Sequence, residues 1–151
     1  MAQDTAPFGV YGMDNVVLQI DGVRIQGFAD GDDVIKLERS TDLGTPLIGA
    51  DGASIVSISA DRSAKLTLKL LQTSPANQYL LNKVSRQRAG ALTGLTFNIG
   101  FVDLSCGESG GCTTAIVTKE AMPQKGKNAS EREWEIFCPC WEPGTIDVAR
   151  G

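Results

Sequence analysis

The chain has no histidine among its 151 residues. That absence removes the commonest general base and the commonest metal ligand together. Cysteine–histidine catalysis is excluded outright, and no Ser-x-x-Lys pairing stands in a convincing context. No Gly-rich segment is followed by the Lys-Ser or Lys-Thr of a phosphate loop, and Gly107 to Gly111 lacks such a partner. No apolar run approaches the roughly 18 residues of a membrane-spanning helix. The first residues lack a basic start followed by an apolar stretch, so no secretory signal is visible and folding in the cytoplasm is expected. Trp and Tyr number two each, few for a surface that stacks sugars. Internal repeats and low-complexity segments are absent from the sequence. The acidic pair Asp32-Asp33 and the acidic run Glu131 to Glu135 are accounted for by turn and hairpin positions.

What is present is ordinary in bulk and informative in order. Charged residues make up 21% and hydrophobic residues 42%, as in globular proteins. A chain of this length buries roughly 68–70% of its unfolded surface, enough for a core without metal or disulfide support. A single domain over residues 1–151 is expected. The 17 glycines favour many turns and short strands. The net charge of −4 argues against a basic grip on nucleic acid. It does not argue against a wall that nucleic acid slides past, where repulsion is useful.

Along the chain, residues 1–14 are punctuated by Gly and Pro and read as an extended arm. Val16 to Ile20 reads as a strand, Asp21-Gly22 as a tight hairpin turn and Val23 to Ala29 as the return strand. Val34 to Ser40 is a third strand. Residues 41–52 read as a long loop holding Gly44, Pro46, Gly49 and Gly52 together with Leu43, Leu47 and Ile48. Apolar residues on such a loop imply either a covered surface or a loop folded onto its own core. Ala53 to Ser59 and Ala64 to Leu71 are strands around the turn Asp61-Arg62-Ser63. In the second of these, Leu66, Leu68 and Leu70 share one face and Lys65, Thr67 and Lys69 the other.

A helix over residues 74–89 is well marked. Ser74 can cap it, and Pro75 occupies its first position, where a missing N–H costs nothing. Ala76, Leu80 and Val84 form a stripe joined by Leu81. Arg86 and Arg88 suit the C-terminal dipole, and Gly90 suits a left-handed terminal residue. Ala91 to Leu104 reads as strand pieces broken at Gly94 and Gly100. Thr113 to Met122 and Ser130 to Cys138 read as a final hairpin turning near Gly126, and residues 142–151 as a turn-rich tail. The expected fold is mainly β (α+β): two packed antiparallel sheets, a β-sandwich or partial barrel, with one flanking helix.

The four cysteines are the unusual constellation. Cys106 and Cys112 bracket the Gly-rich loop, and Cys138 and Cys140 bracket Pro139. The expected hairpin register sets Ile116 opposite Ile136 and Cys112 opposite Cys140. Structural zinc prefers C-x₂₋₄-C pairs, which these spacings do not match. Buried reduced thiols and disulfides, within or between subunits, are the other readings. Cys138 with Cys140 would close a short, strained ring.

At Ile48-Gly49-Ala50-Asp51-Gly52, Asp61-Arg62-Ser63 and Gln72-Thr73-Ser74-Pro75-Ala76-Asn77, the chain resembles the tail tube protein family of contractile-tailed bacteriophages. The resemblance runs from about Val16 to Leu104 and rests on the order of turn motif, alternating strand and capped helix. The last third matches less clearly, and the cysteines are not part of the family pattern. The resemblance implies hexameric rings stacked into a hollow tube inside a contractile sheath. It implies strands that join across subunits into one continuous inner barrel, which leaves no sheet edge exposed. It implies an inter-ring loop at 41–52, with Leu43, Leu47, Ile48 and Asp51 as contact residues, and a lumen that conducts DNA. Sheath, baseplate and tape-measure proteins are the implied partners. The implied location is the virion, after assembly in the host bacterial cytoplasm. Repeated contacts would turn one thiol pair among Cys106, Cys112, Cys138 and Cys140 into a lattice of disulfide crosslinks in an oxidising medium. No cofactor, metal site or catalytic residue is expected. The alternatives are a tube subunit of a phage-like injection or secretion device, a monomeric β-sandwich binding module and, least supported, an enzyme.

Overall fold

The computed structural model describes residues 10–90 and 96–145. Strands β1 (Val16–Ile20) and β2 (Val23–Arg24) form a hairpin. Its turn places Asp21 at φ 51° and Gly22 at φ 80°, the double positive φ that a primed turn demands. The remaining strands are β3 (Ile35–Arg39), β4 (Gly44–Ile48), β5 (Ser54–Ile58), β6 (Ala64–Leu71), β7 (Phe97–Asp103), β8 (Glu108–Lys119), β9 (Glu131–Cys138) and β10 (Glu142–Thr145). One α-helix among the described residues, α1 (Pro75–Arg88), lies between β6 and β7, and a short 3-10 turn (Met13–Asn15) precedes β1.

The strands make two antiparallel sheets. The larger has eight strands in the order β2-β1-β7-β8-β9-β6-β3, with β10 added alongside β8, and the smaller is the β4–β5 pair. The large sheet bends at the long strand β8, which pairs with β7 over its first part and with β9 over its last. Both arms therefore contribute to one core, where Leu18 and Ile20 of β1 meet Leu66, Leu68 and Leu70 of β6 and Trp134 and Ile136 of β9. After β2 the chain crosses to β6. Ala29 N–H donates to Lys69 O (3.0 Å) and Leu71 N–H to Gly27 O (2.8 Å), and Phe28 bridges Leu70. The sheet is not closed into a barrel in the monomer.

The helix seals the core for the reasons its sequence suggests. Ser74 Oγ accepts from Ala76 N–H (3.2 Å), Pro75 opens the first turn, and Gly90 stands at φ 69°. Ala76, Leu80 and Val84 are buried, whereas Leu81, expected on the same stripe, is exposed. Polar groups fix the helix on the sheet. Tyr79 Oη donates to Ile20 O (3.1 Å), and Lys83 pairs with Asp21 beneath the Tyr79 and Phe97 rings. The Gln87 amide donates to Val117 O (3.0 Å) and accepts from Val117 N–H (2.9 Å), taking the place of a neighbouring strand.

Several expected boundaries move. The return strand after Asp21-Gly22 is only Val23–Arg24, because the chain then leaves β1 for β6. Residues 41–52 are not a long loop: Gly44–Ile48 is a strand. The Gly107 to Gly111 stretch is largely the start of β8, and the tail begins with β10, which pairs with it. The final hairpin is shifted by one residue, Val117 facing Ile136 and Ile116 facing Phe137, with an irregularity before Lys119. Residues 1–9 of the expected arm, Gly94 and the end of the tail from 146 lie outside the described residues.

Candidate assembly surface

The β4–β5 hairpin carries an unusual surface. Its register sets Gly44 opposite Ile58, Thr45 opposite Ser57, Pro46 opposite Val56, Leu47 opposite Ile55 and Ile48 opposite Ser54. The turn between the strands is held by Gly49 N–H to Ala53 O (2.7 Å) and by Gly52 at φ 87°. Asp51 Oδ1 accepts from Ala53 N–H (3.1 Å), so this carboxylate shapes the turn. No residue of either strand is buried. Leu43 is 81% exposed, Leu47 68%, Ile48 70%, Ile55 65% and Ile58 73%.

Directly opposed residues share a face of a ribbon, and successive residues alternate. One face of this ribbon therefore bears Pro46, Ile48, Val56 and Ile58. The other bears Leu47 and Ile55, continued by Leu43 at the base, where Ser59 N–H donates to Leu43 O (2.9 Å). The first face is mostly apolar, and the second sets Thr45 and Ser57 between Leu43 and the Leu47–Ile55 pair. Burying such a side chain is worth about 1.5–3 kcal/mol, and a lone two-stranded ribbon is marginal in water. Exposed apolar side chains gathered in one place are the chemistry of interaction surfaces in general.

At the ribbon's base a groove runs between Leu43 and Ile58 on one side and Trp141 and Pro143 on the other. Its polar rim is already paired: Arg62 contacts Glu142 (3.2 Å), and Arg39 donates to Arg62 O (2.6 Å).

The second extended surface is the outward face of β3, β6 and β9 with the adjoining end of β8. The Lys65, Thr67 and Lys69 face of β6 is opposed by Phe137, Glu135 and Glu133 of β9 and by Glu38 and Lys36 of β3. The charges of this face pair with one another, between strands, along β3 and with the loop before it. Lys65 pairs with Glu135 (3.0 Å), Lys119 with Glu135 (3.6 Å), Lys69 with Asp33 (2.8 Å) and Lys36 with Glu38 (3.9 Å). The Lys65 hydrogen bond holds the Glu135 carboxyl below its usual range against some burial, and Glu135 raises Lys65 in turn. The outer edge of β3 has no strand beside it among the described residues.

The cysteines divide by depth. Cys112 and Cys138 are buried, Cys106 and Cys140 are exposed, and all four are free thiols. Cys112 does not face Cys140: it pairs across β7 with Ile99, and its thiol neighbour is Cys138. Burial, with Cys112 alongside, pushes the Cys138 thiol up to about 12. Cys106 donates to Glu108 (3.0 Å) and Cys140 to Glu142 (3.0 Å), and each carboxylate raises its thiol. Cys106 and Cys140 are therefore the thiols open to solvent, and Cys112 and Cys138 are shielded from it.

The four sulfurs do not converge as a zinc site would require. Among the described residues, Asp103, Cys106 and Glu108 bring ligand atoms within 4.8 Å of one another. Their own hydrogen bonds explain the grouping, with Ser105 N–H donating to Asp103 Oδ1 (2.9 Å) and Gly107 N–H to Asp103 O (2.9 Å). It is a tight corner between β7 and β8. No helix among the described residues is long and apolar enough to cross a membrane.

Of the residues expected on a loop, Leu43 lies at the ribbon's base, Leu47 and Ile48 lie on its opposite faces, all three exposed, and Asp51 sits in its turn. Ile55, Val56 and Ile58 were not legible as part of that surface, because Ala53 to Ser59 reads simply as a strand. The available signal was the near symmetry of two apolar runs about Gly49 to Gly52, a hairpin pattern with a Gly-containing turn.

Residues 15–149 match the sequence profile of the bacteriophage PhiTE tail tube protein, and the chain belongs to that family. No protein of curated function matches it significantly. Its fold is similar to solved structures from contractile assemblies. The anti-feeding prophage cap, a tube-terminating cap, superposes with a TM-score of 0.59 at 10% identity, over 95% of this chain and 97% of that one. The sheath/tube terminator of an extracellular contractile injection system, PVC, gives 0.62 at 11% identity, over 93% and 98%. The sheath-tube complex of that system gives 0.56 at 10% identity, over 94% of each chain.

Proposed function

We propose that this member of the tail tube family is a structural subunit that self-assembles into stacked hexameric rings, forming the inner tube of a contractile tail and the conduit for DNA ejection. The carrying observation is the β4–β5 ribbon, whose apolar side chains are left uncovered by the described residues. A subunit whose neighbours are copies of itself leaves such a surface bare until it assembles. Leu43, Leu47 and Ile48, with Asp51 setting the turn, contact the adjacent ring.

The unpaired outer edge of β3 extends the sheet into a neighbouring subunit, which removes the aggregation hazard of a bare edge. The self-neutralised face of β3, β6 and β9 suits a wall past which phosphate slides. The chain's net charge of −4 discourages nucleic acid from sticking. The tail sheath packs outside, and baseplate and tape-measure proteins meet the tube at its ends and in its bore. The chain does no catalysis, assembles in the host bacterial cytoplasm and resides in the virion. Any disulfide lattice draws on Cys106 and Cys140.

The likeness to injection-system proteins supports a second reading, the tube of a phage-like device with another cargo. Sedimentation of the purified chain tests the shared core of both readings. Rings or longer polymers are expected. A species that stays at the 16.0 kDa monomer mass at every concentration would contradict them.

A further inference from the structure

Arg132 is a buried cation whose charge meets no carboxylate among the described residues. It is 8% exposed and points inward from β9, two residues before Trp134. Its Nη1 donates to Ser130 Oγ (2.7 Å) and to Glu131 O (3.0 Å), and its Nη2 to Gln72 Oε1 (3.5 Å). All three acceptors are neutral, and Arg132 takes no part in the ion pairs of the described residues. A guanidinium stays charged, and a buried charge is ordinarily paired.

The surroundings deepen the positive potential. Gln72 leads straight to the Ser74 cap of α1, and Trp134 donates to Asn77 in the first turn, which holds no acidic residue. A helix start carries partial positive charge. The β8–β9 connection adds Lys125 and Lys127, with no Asp or Glu from 121 to 130. Glu131 and Glu133 stand on the opposite, exposed face of β9.

A guanidinium has five N–H donors, and these bonds use three. Nε–H and one Nη2 proton remain, the edge that grips two oxygens of one oxyanion. Among the described residues no fully buried side-chain nitrogen or oxygen lacks a partner, so this edge is open to solvent. We propose that Arg132, oriented by Gln72 and Ser130, is a binding site for a small oxyanion, a phosphate or carboxylate group that enters from outside and supplies the missing countercharge. The site stands independently of the tube reading.

Inorganic phosphate titrated into the full chain at constant ionic strength, followed by calorimetry, should bind saturably at one site per chain. Arg132→Lys keeps the charge and loses the fork, so affinity should fall about tenfold or more. Arg86→Lys, exposed on the last turn of α1, should leave it unchanged. Gln72→Glu sets a carboxylate beside the guanidinium. It should abolish phosphate binding and raise the thermal midpoint by about 2–4 °C, a result no merely disruptive substitution gives. A parallel titration with acetate separates the sources: binding of both ions marks a carboxylate site, and binding of phosphate alone a phosphate site. Heat that never saturates with either ion, equal affinity in Arg132→Lys, or a Gln72→Glu chain that still binds phosphate would overturn the proposal.

Discussion

The indole of Trp141 lies directly on the backbone of Gly110. A Cβ built at Gly110 would come 2.5 Å from Trp141 Cζ2 and 2.9 Å from Nε1. This contact seats β10 beside the start of β8 and walls the groove at the ribbon's base. Gly110→Ala must displace a buried ring, so a loss of about 1–3 kcal/mol is expected in urea unfolding, with a red-shifted tryptophan emission.

Trp134, in the centre of β9, donates its indole N–H to Asn77 Oδ1 (3.0 Å), while Asn77 Nδ2 donates to Leu71 O (2.8 Å). Asn77→Ala leaves a buried donor without an acceptor, and about 1–3 kcal/mol should be lost. Gln78→Ala, one residue along on the exposed side of α1, should cost under about 0.5 kcal/mol. Equilibrium denaturation of the two variants makes the comparison.

The thiols should react in two classes. Alkylation of the native monomer followed by mass spectrometry should modify Cys106 and Cys140 and spare Cys112 and Cys138 until the chain is unfolded. Glu142→Gln removes the carboxylate that holds the Cys140 proton, so labelling should quicken at Cys140 and not at Cys106.

Stability should also respond to alkali. Burial raises the Cys138 thiol from an ordinary 9.0 to about 12, so between those values the folded state keeps a proton that the unfolded state has lost. The contribution is fully present below about pH 9 and drains away as pH rises toward 12. Urea midpoints measured at about pH 8 and about pH 10 should fall less for Cys138→Ala than for the unmodified chain.

Local chemistry was legible wherever one segment decides its own conformation. Ser74, Pro75 and Gly90 bound α1 as their capping roles dictate, and β6 buries Leu66, Leu68 and Leu70 on the face that alternation assigns. Long-range pairing was not legible. Strand β2 ends at Arg24 because the chain leaves to pair with β6, and β10 exists because β8 offers it an edge; no local signal marks either event. The expected Cys112–Cys140 pairing fails because β9 pairs with β8 only from Ile116 onward, one residue off the expected register, and Cys112 lies in the earlier part of β8 that pairs with β7. The ribbon was half legible. Leu43, Leu47 and Ile48 stood out against glycine and proline, whereas Ile55, Val56 and Ile58 look like any buried strand until their partner is known to be solvent-facing.

The central claim is that this chain builds a hollow tube through its apolar ribbon. Negative-stain electron microscopy of the concentrated, purified protein, with and without reductant, tests it most directly. Stacked rings with an open bore are expected in both conditions. With their lattice held chiefly by apolar contact and strand pairing, as proposed, reductant should not disperse them. A dispersed monomer in both conditions would contradict the account.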